Sequence, residues 1–493
     1  MEVLCRAGIG VNLFAYYYCA VLERNDAPSG ETFALPIYSK SGKEFLIFTR
    51  GQVMLLISML AFITAGLVVG IVIWLVFFKR AKVNILVIFI LLSYTLFGSL
   101  SIRFPILGDL MAYHIALLFA SVSLFFLIFS PRPTIYRRLP VSVVKFWGLY
   151  LSFLAIITIS AFKGLDFGKS YLLWRNYAAN LLLVTLVALT VKKEAQLNVV
   201  LYAIIAVTVV GAILGGLQAF VSPKIAPAYF FLGEAWLVRH GYLPVGYANM
   251  PYKFGNDLLV GFLPALALFF GRPARHSKRA LILLVMSLIL GGLLLSRGLS
   301  SLIGSAIGAV YIVYKFGIFR KRPMLIIMPL MSGIGLLFSR EIITWLINTY
   351  TSYQYIESRW HLVLAGIQML QTSPLTGVGL ANFSILSPEY LLRIGGPIVD
   401  TAPHNVFLQV LVENGIVGLV LYLSIWWYAF HTCSFSDKVS SLKAVGIGLR
   451  GTLIGYMVDA LFHNYAFDNH LWLIIGLCIS VGNCALSFRG AVR

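Results

Sequence analysis

The sequence predicts an all-α, polytopic bundle of transmembrane helices, and three observations carry this prediction. Of the 493 residues, 60% are hydrophobic and only 11% are charged, whereas a soluble domain carries roughly a quarter charged residues. Apolar runs of about 20 residues, long enough to cross the hydrocarbon core of a bilayer, recur along the chain. The alternating pattern of a membrane β-barrel is absent, so the spans are expected to be helices, whose backbone groups pair internally.

We expect about twelve core helices and one or two extra N-terminal helices. The predicted spans are 52–78, 83–102, 109–130, 142–162, 171–191, 197–220, 255–271, 279–295, 299–316, 324–338, 405–430, 444–462 and 471–488. Segment 7–22 is either one more span or an interfacial helix. The chain is divided into an N-terminal extension with at least one transmembrane helix (1–78), the first part of the transmembrane core (79–338), a large loop (339–404) and C-terminal transmembrane helices (405–493).

The formal net charge of +20 predicts the orientation of the bundle. Short basic connections lie at 79–82, 132–138, 192–193, 272–279, 315–322 and 438–443. Because Lys and Arg accumulate in cytoplasmic loops, these connections predict the cytoplasmic side, and nucleic-acid binding is not expected. The two longest connections, about 221–254 and 339–404, then face the outer side, where long loops often carry function. The alternative is a mobile outer loop without chemistry.

The second long connection carries the most informative motifs. Its first part, 357–371, is predicted as a helix on the membrane surface that ends at Pro374, and Gly377 and Gly379 predict a tight turn. A proline then interrupts regular structure directly before His404, which is expected at the N-terminal end of the next helix. A histidine there can act as a base near neutral pH, although a lone histidine is more often a structural hydrogen-bonding residue.

Four arginines are expected near the same face as His404: Arg239 and Arg359 in the two long connections, and Arg297 and Arg175 near the outer ends of spans. An arginine in or beside a span is costly and often marks a partner or a pathway. Its guanidinium also suits the oxygens of a diphosphate. The alternative for each is a side chain that extends to lipid headgroups. Together with the histidine, they favour a phosphate-bearing lipid substrate whose leaving group is stabilised by charge.

These motifs resemble the signature of the O-antigen ligase and polymerase superfamily. The resemblance is carried by Ser358-Arg359-Trp360, Pro374-Leu375-Thr376-Gly377-Val378-Gly379, Phe383, His404-Asn405, Leu408-Gln409, Glu413, Gly415-Ile416-Val417-Gly418, Ser296-Arg297-Gly298, and Arg239 followed by Asn256. It covers roughly 230–430 in motif and the whole twelve-helix core in layout. The extension at 1–78 is not part of the usual core, so its role is open.

The resemblance implies a metal-independent, inverting glycosyltransferase of the bacterial inner membrane, with its active face in the periplasm. The donor would be a glycan on undecaprenyl diphosphate, and no cofactor is expected. The outer carboxylates lack the spacing of a metal site or of a paired glycosidase dyad, which agrees with this expectation.

The resemblance also implies roles for individual side chains. His404 would be the catalytic base that deprotonates the acceptor hydroxyl. The other side chains form a set for the diphosphate (Arg297, Arg239, Arg359 and, by position only, Arg175) and a set that orients the base or the acceptor (Asn405 and Asp459). His463, Asp468 and His470 are close to Asp459 in sequence and could share its orienting role, and the alternative for this group is a structural cluster.

Several functions stay open at this stage. A ligase would transfer the glycan to the lipid A core of lipopolysaccharide, and this reading is slightly favoured because the shared signature is named for it. A polymerase of O-antigen or exopolysaccharide would use a second lipid-linked glycan as acceptor, and a third branch glycosylates protein. From a different class, a transporter or flippase for polyisoprenoid-linked glycans is disfavoured, because no internal repeat is evident and the arginines gather at one face. A structural partner in a glycan-assembly complex is the weakest alternative.

Overall fold

The computed structural model describes 140–225, 243–246, 248, 251–271, 276–318, 353–398, 401–463 and 468–492, together with the backbone of four strands between 32 and 111. The helices of this described part are α1 (Val141–Phe162), α2 (Phe167–Thr190), α3 (Glu194–Phe220), α4 (Pro251–Gly271), α5 (His276–Leu295), α6 (Leu299–Lys315), α7 (Tyr353–Thr372), α8 (Phe383–Arg393), α9 (Val406–Ser434), α10 (Ser440–Asp459) and α11 (Asn469–Val492). Short 3-10 helices lie at Pro223–Ile225 and Phe435–Lys438.

Six helical segments in the described part are long and apolar enough to cross a membrane: Val141–Phe162, Phe167–Thr190, Glu194–Phe220, Lys253–Gly271, Val406–Lys438 and Asn469–Phe488. The apolar parts of α5 and α6 are shorter. The protein is therefore a multi-pass membrane protein, and the helical bundle is confirmed within the described residues. The predicted spans 52–78 and 324–338, and segment 7–22, lie outside those residues. The count of twelve core helices and the boundaries drawn at 78, 338 and 404 therefore stay predictions.

Two short β-hairpins add to the helices. Strand β1 (Thr32–Ser39) pairs antiparallel with β2 (Gly42–Thr49), and β3 (Ser101–Phe104) pairs with β4 (Gly108–Met111). The all-α prediction did not include them because it was drawn from long apolar runs, whereas each strand has at most eight residues. The second hairpin occupies residues that were predicted to be the end of span 83–102 and the start of span 109–130, so these ends are strands and not helix. The rest of both spans lies outside the described residues.

The chain divides into two compact units, 1–69 and 70–493. The hairpin β1–β2 belongs to the first unit, and all the described helices belong to the second. Within the second unit, α10 packs against α4 and α6, while α11 packs against α2 and α9.

Helices α6 and α10 pack closely through glycines. A methyl group on Gly304 would collide with the carbonyl oxygen of Gly455, and one on Gly308 would lie 2.7 Å from the carbonyl oxygen of Gly451. In each helix the two glycines are four residues apart, which is the small-residue spacing that lets membrane helices approach each other. The antiparallel register brings the start of α6 to the end of α10, where several predicted site residues lie.

Helix α9 is interrupted at Gly415, which has φ 70° and ψ −177°. A segment of the second long connection lies along this break and forms three backbone hydrogen bonds: Val378 N to Val412 O (2.9 Å), Gly379 N to Glu413 O (3.1 Å) and Ile416 N to Pro374 O (2.9 Å). The predicted tight turn is confirmed, since Gly377 and Gly379 have φ values of 72° and 112°. The glycine motif of the loop (377–379) and the glycine break of the helix (415) therefore form one contact, in which the loop docks on the helix through backbone hydrogen bonds.

The described part of the large connection is itself packed. The helix predicted at 357–371 is α7, which ends at Thr372, and its place on the membrane surface stays a prediction. Helices α7 and α8 share a small apolar core with the start of α9, formed by Leu362, Ala365, Met369, Phe383, Leu391 and Val412. This core holds α7 against the helix that begins after His404.

Candidate active site

His404 and Arg297 occupy strained turns directly before helices. Their φ angles are 44° and 51°, and Ala381 is the other non-glycine residue with positive φ in the described part of the chain. The left-handed conformation costs a residue with a Cβ roughly 1–2 kcal/mol. Such strain tends to persist at functional sites, where the surrounding structure enforces it. His404 is half-buried, whereas Arg297 is exposed.

Asn405 is the N-cap of α9. Its side-chain oxygen accepts a 3.0 Å hydrogen bond from the amide of Leu408, which satisfies a donor in the first turn that lacks a helical partner. The amide of Val406 donates to the carbonyl of Ala460 over 2.9 Å. The backbone that follows His404 is thus held by its own cap and by the chain that leaves α10.

That chain, residues 459–463, also contacts the large connection. The Nη1 atom of Arg359 in α7 donates to the carbonyl oxygen of Phe462 over 3.2 Å. Arg359 is half-buried, and its guanidinium is thereby directed to the end of α10. The segment 459–463 therefore joins α7, α9 and α10 at one place.

The same segment holds the first turn of α6, which follows Arg297. The Ser301 hydroxyl donates to Asp459 Oδ1 over 2.8 Å, and Asp459 is fully buried. The Ser300 hydroxyl lies 2.7 Å from His463 Nε2. His463 Nε2 also lies 3.7 Å from Asp459 Oδ1. Sequence reasoning missed the two serines, and it placed His463 only in a group with Asp459 that could orient the base or the acceptor. The signal for the serines was the Ser-Ser pair directly after Arg297-Gly298-Leu299.

The Ser300, His463 and Asp459 side chains do not form a hydrolase triad. In a triad, the serine and the aspartate bind different ring nitrogens, whereas here both are nearest to Nε2. Burial lowers the pKa of His463 to about 3, and electrostatic interactions with Arg359 and His404 lower it as well. His463 is therefore a neutral imidazole at ordinary pH, within electrostatic reach of both residues.

A family model described as O-antigen ligase matches residues 260–423. Through this segment the chain is similar to the O-antigen ligase superfamily. The resemblance seen in the sequence is thereby confirmed for this part of the chain. A search of curated proteins finds no match to the chain.

The O-antigen ligase segment contains Arg297, Arg359 and His404 but ends before Asp459 and His463. The contacts of residues 459–463 with α6, α7 and α9 therefore connect the matched segment to the C-terminal part of the bundle. This connection depends on tertiary structure and could not be read from the matched motifs.

A second buried polar cluster joins the starts of α4 and α11. His470 Nδ1 lies 2.9 Å from Asp257 Oδ1 and 3.5 Å from Asp468 Oδ1. Burial would raise the pKa of Asp468, but hydrogen bonds and positive charge from His470, together with the charge of Lys253, hold it below its usual value. The structure thus divides the carboxylates and histidines near the C-terminus between two clusters, one on α6 and one on α4.

The remaining predicted site residues are less closely defined. Arg175 lies half-buried in α2, which packs mainly against α1 and α11. Arg239 lies outside the described residues. Within the described part, no group of three or more His, Cys, Asp or Glu side chains is arranged to hold a metal ion. The donor set, the orienting set and metal independence all stay predictions.

Proposed function

We propose that this protein transfers a glycan from undecaprenyl diphosphate to an acceptor hydroxyl at the periplasmic face of the bacterial inner membrane. In this proposal it is an O-antigen ligase in lipopolysaccharide biosynthesis, with the lipid A core as acceptor. The supporting observation is that residues 459–463 hold the helix starts that follow Arg297 and His404 and also bind Arg359. A base and cationic groups near one another are what this reaction requires.

His404 is proposed as the general base. Its imidazole takes the proton of the acceptor hydroxyl while that oxygen attacks the anomeric carbon of the donor sugar. The bond between the anomeric carbon and the diphosphate oxygen breaks, and undecaprenyl diphosphate leaves from the opposite face. The sugar is therefore transferred with inversion. The strained backbone and the cap at Asn405 support this role, because both restrict the directions that the imidazole can take.

Arg297 and Arg359 are proposed to bind the diphosphate, with Arg239 and Arg175 completing the set. Arg297 is exposed and directly precedes Gly298, the N-cap of α6. The backbone amides of a first helical turn lack helical acceptors and favour anions. Because charge develops on the leaving oxygens in the transition state, guanidinium groups there would lower the barrier. No step of the proposed mechanism requires a cofactor or a metal.

Asp459 is proposed to orient the site from its buried side, through the first turn of α6. It is fully buried, and its carboxylate binds the hydroxyl of Ser301 in the first turn of α6. This contact keeps the turn that carries Arg297 at the end of α10, close to the segment that binds α9. Asn405 likewise fixes the backbone after His404, because its side chain caps the first turn of α9.

The test is replacement of His404 by alanine, with His361→Gln as the matched control. His361 also lies in the large connection, and its Nδ1 is 2.8 Å from the carbonyl oxygen of Glu357 in its own helix. Purified variants in proteoliposomes receive a glycan on undecaprenyl diphosphate and lipid A core. We expect H404A to lose about 10²- to 10⁴-fold in transfer rate, as is typical for loss of a general base, and H361Q to remain active. An H404A variant as active as wild type would reject the assignment.

The products of the same assay separate the alternative functions. Glycan attached to lipid A core supports the ligase, whereas longer lipid-linked glycan without added lipid A core indicates a polymerase. Movement of donor across the bilayer without a new glycosidic bond would indicate a transporter instead.

A further inference from the structure

His463 makes contacts that the proposed mechanism does not use. Its side chain is 12% exposed, and its Nε2 lies 2.7 Å from Ser300 Oγ and 3.7 Å from Asp459 Oδ1. Ser300 is in the first turn of α6, three residues after Arg297, and Asp459 is the last residue of α10. His463 therefore bridges the two helices on the side of the predicted diphosphate arginine.

The protonation state of His463 decides which of these contacts it can keep. A neutral imidazole has one donor and one acceptor nitrogen, so Nε2 can share a hydrogen bond with the Ser300 hydroxyl in either direction. A protonated ring would be attracted to the Asp459 carboxylate instead. The titratable and charged groups that act on the ring are Asp459 from α10, Arg359 from α7 and His404 before α9. Burial and the electrostatic interactions with Arg359 and His404 favour the neutral ring.

The bridge to Ser300 bears on Arg297 because the turn between them is strained. Arg297 has φ 51°, which the surrounding structure must enforce. Two hydrogen bonds hold the first turn of α6 at the end of α10, one from Ser301 to Asp459 and one between Ser300 and His463. Loss of the second would let this turn relax, and displacement of a binding group by about 1 Å can cost 10²-fold in rate.

We propose that His463 is a positioning residue that holds Ser300, and through it the turn of Arg297, in the place where the donor diphosphate binds. The inference rests on the proposed function. His463 acts through Ser300 and takes no proton from the substrate. It lies beyond the segment matched by the O-antigen ligase family.

The test compares replacements that keep or remove the hydrogen bond. In His463→Gln the amide can reach the position of Nε2, whereas His463→Leu fills similar volume without a polar group, and Ser300→Ala removes the partner. We expect H463L and S300A to raise the KM for the lipid-linked donor about 10- to 100-fold, the usual range for residues that orient a binding group, with a smaller effect on kcat. H463Q should stay close to wild type. The double variant S300A/H463L should be no worse than either single variant, because both remove one interaction.

Direct binding of undecaprenyl diphosphate to the protein in nanodiscs is a second readout, and H463L should weaken it by a similar factor. Three results would overturn the inference: an H463Q variant as inactive as H404A, an S300A variant with unchanged KM and binding, or additive losses in the double variant. S300A carries the test if H463L does not reach the membrane. If wild type and H404A both show no transfer, the proposed function fails and the inference with it. An active wild type with an equally active S300A rejects the positioning role alone.

Discussion

The amide of Gly379 donates a 3.1 Å hydrogen bond to the carbonyl oxygen of Glu413, and this bond joins the large connection to the broken helix α9. Glu413 O also accepts from the hydroxyl of Ser160 in α1 over 3.0 Å. The break at Gly415 frees carbonyl groups within the bundle, and buried carbonyls require partners. The loop supplies them, so the loop and the helix depend on each other.

Gly377→Ala should therefore destabilise the protein by more than the backbone strain of an alanine with positive φ. Gly377 has φ 72°, and a methyl group there would collide with the backbone of Glu413. The matched control is Gly395→Ala, because Gly395 has φ 69° and open space around it. We expect the control to lose roughly 1–2 kcal/mol of unfolding free energy from backbone strain, and G377A to lose clearly more. Thermal unfolding in detergent measures both, and equal losses would contradict the docking contact.

Arg297→Gly should separate stability from activity. Glycine accepts the positive φ of this position without strain, so the free energy of unfolding should rise by about 1 kcal/mol relative to Arg297→Ala. Both variants lack the guanidinium and should lose transfer from the lipid-linked donor to a similar extent. Arg297→Lys keeps the charge without the planar fork and should raise the donor KM. Undiminished donor use in the lysine variant would count against diphosphate recognition by Arg297.

Gly304→Ala should weaken the contact between α6 and α10. The added methyl group would collide with the carbonyl oxygen of Gly455 and push the two helices apart. Gly291→Ala in α5 is the control, since no atom lies within 4 Å of the added carbon. Alanine is the better helix former by up to about 1 kcal/mol. The control should therefore be neutral or stabilising, whereas G304A should lower both the melting temperature and the transfer rate.

The contribution of His463 to the stability of the protein should fall on acidification. Its pKa is about 3 in the folded protein and 6.5 in the reference state, so the unfolded chain binds more protons between these values. The free energy of unfolding should then decrease as the pH falls from about 6.5 towards 3, by at most about 1.4 kcal/mol per pH unit from this group. His463→Gln should remove this contribution. Identical pH slopes for wild type and H463Q in chemical unfolding experiments would contradict the neutral, buried imidazole.

Much of the architecture could be predicted because it depends on local chemistry. Runs such as 142–162 and 197–220 must be helical in a bilayer, and α1 and α3 lie within a few residues of those bounds. The helix α7, its end before Pro374 and the turn at Gly377 also follow from local signals. The hairpins were missed because short strands leave no long apolar run.

The sequence by itself determined the class of the protein, its helices and the residue types of a candidate site, since hydropathy, prolines and glycines act on the chain near them. Only the tertiary structure decided which of those residues meet. Asp459 reaches Ser301 because glycines at Gly304 and Gly455 let two helices approach, over a separation of more than a hundred residues. The same packing of α6 against α10 brings His463 to Ser300. Such contacts depend on helix register and packing distance, which no local pattern specifies.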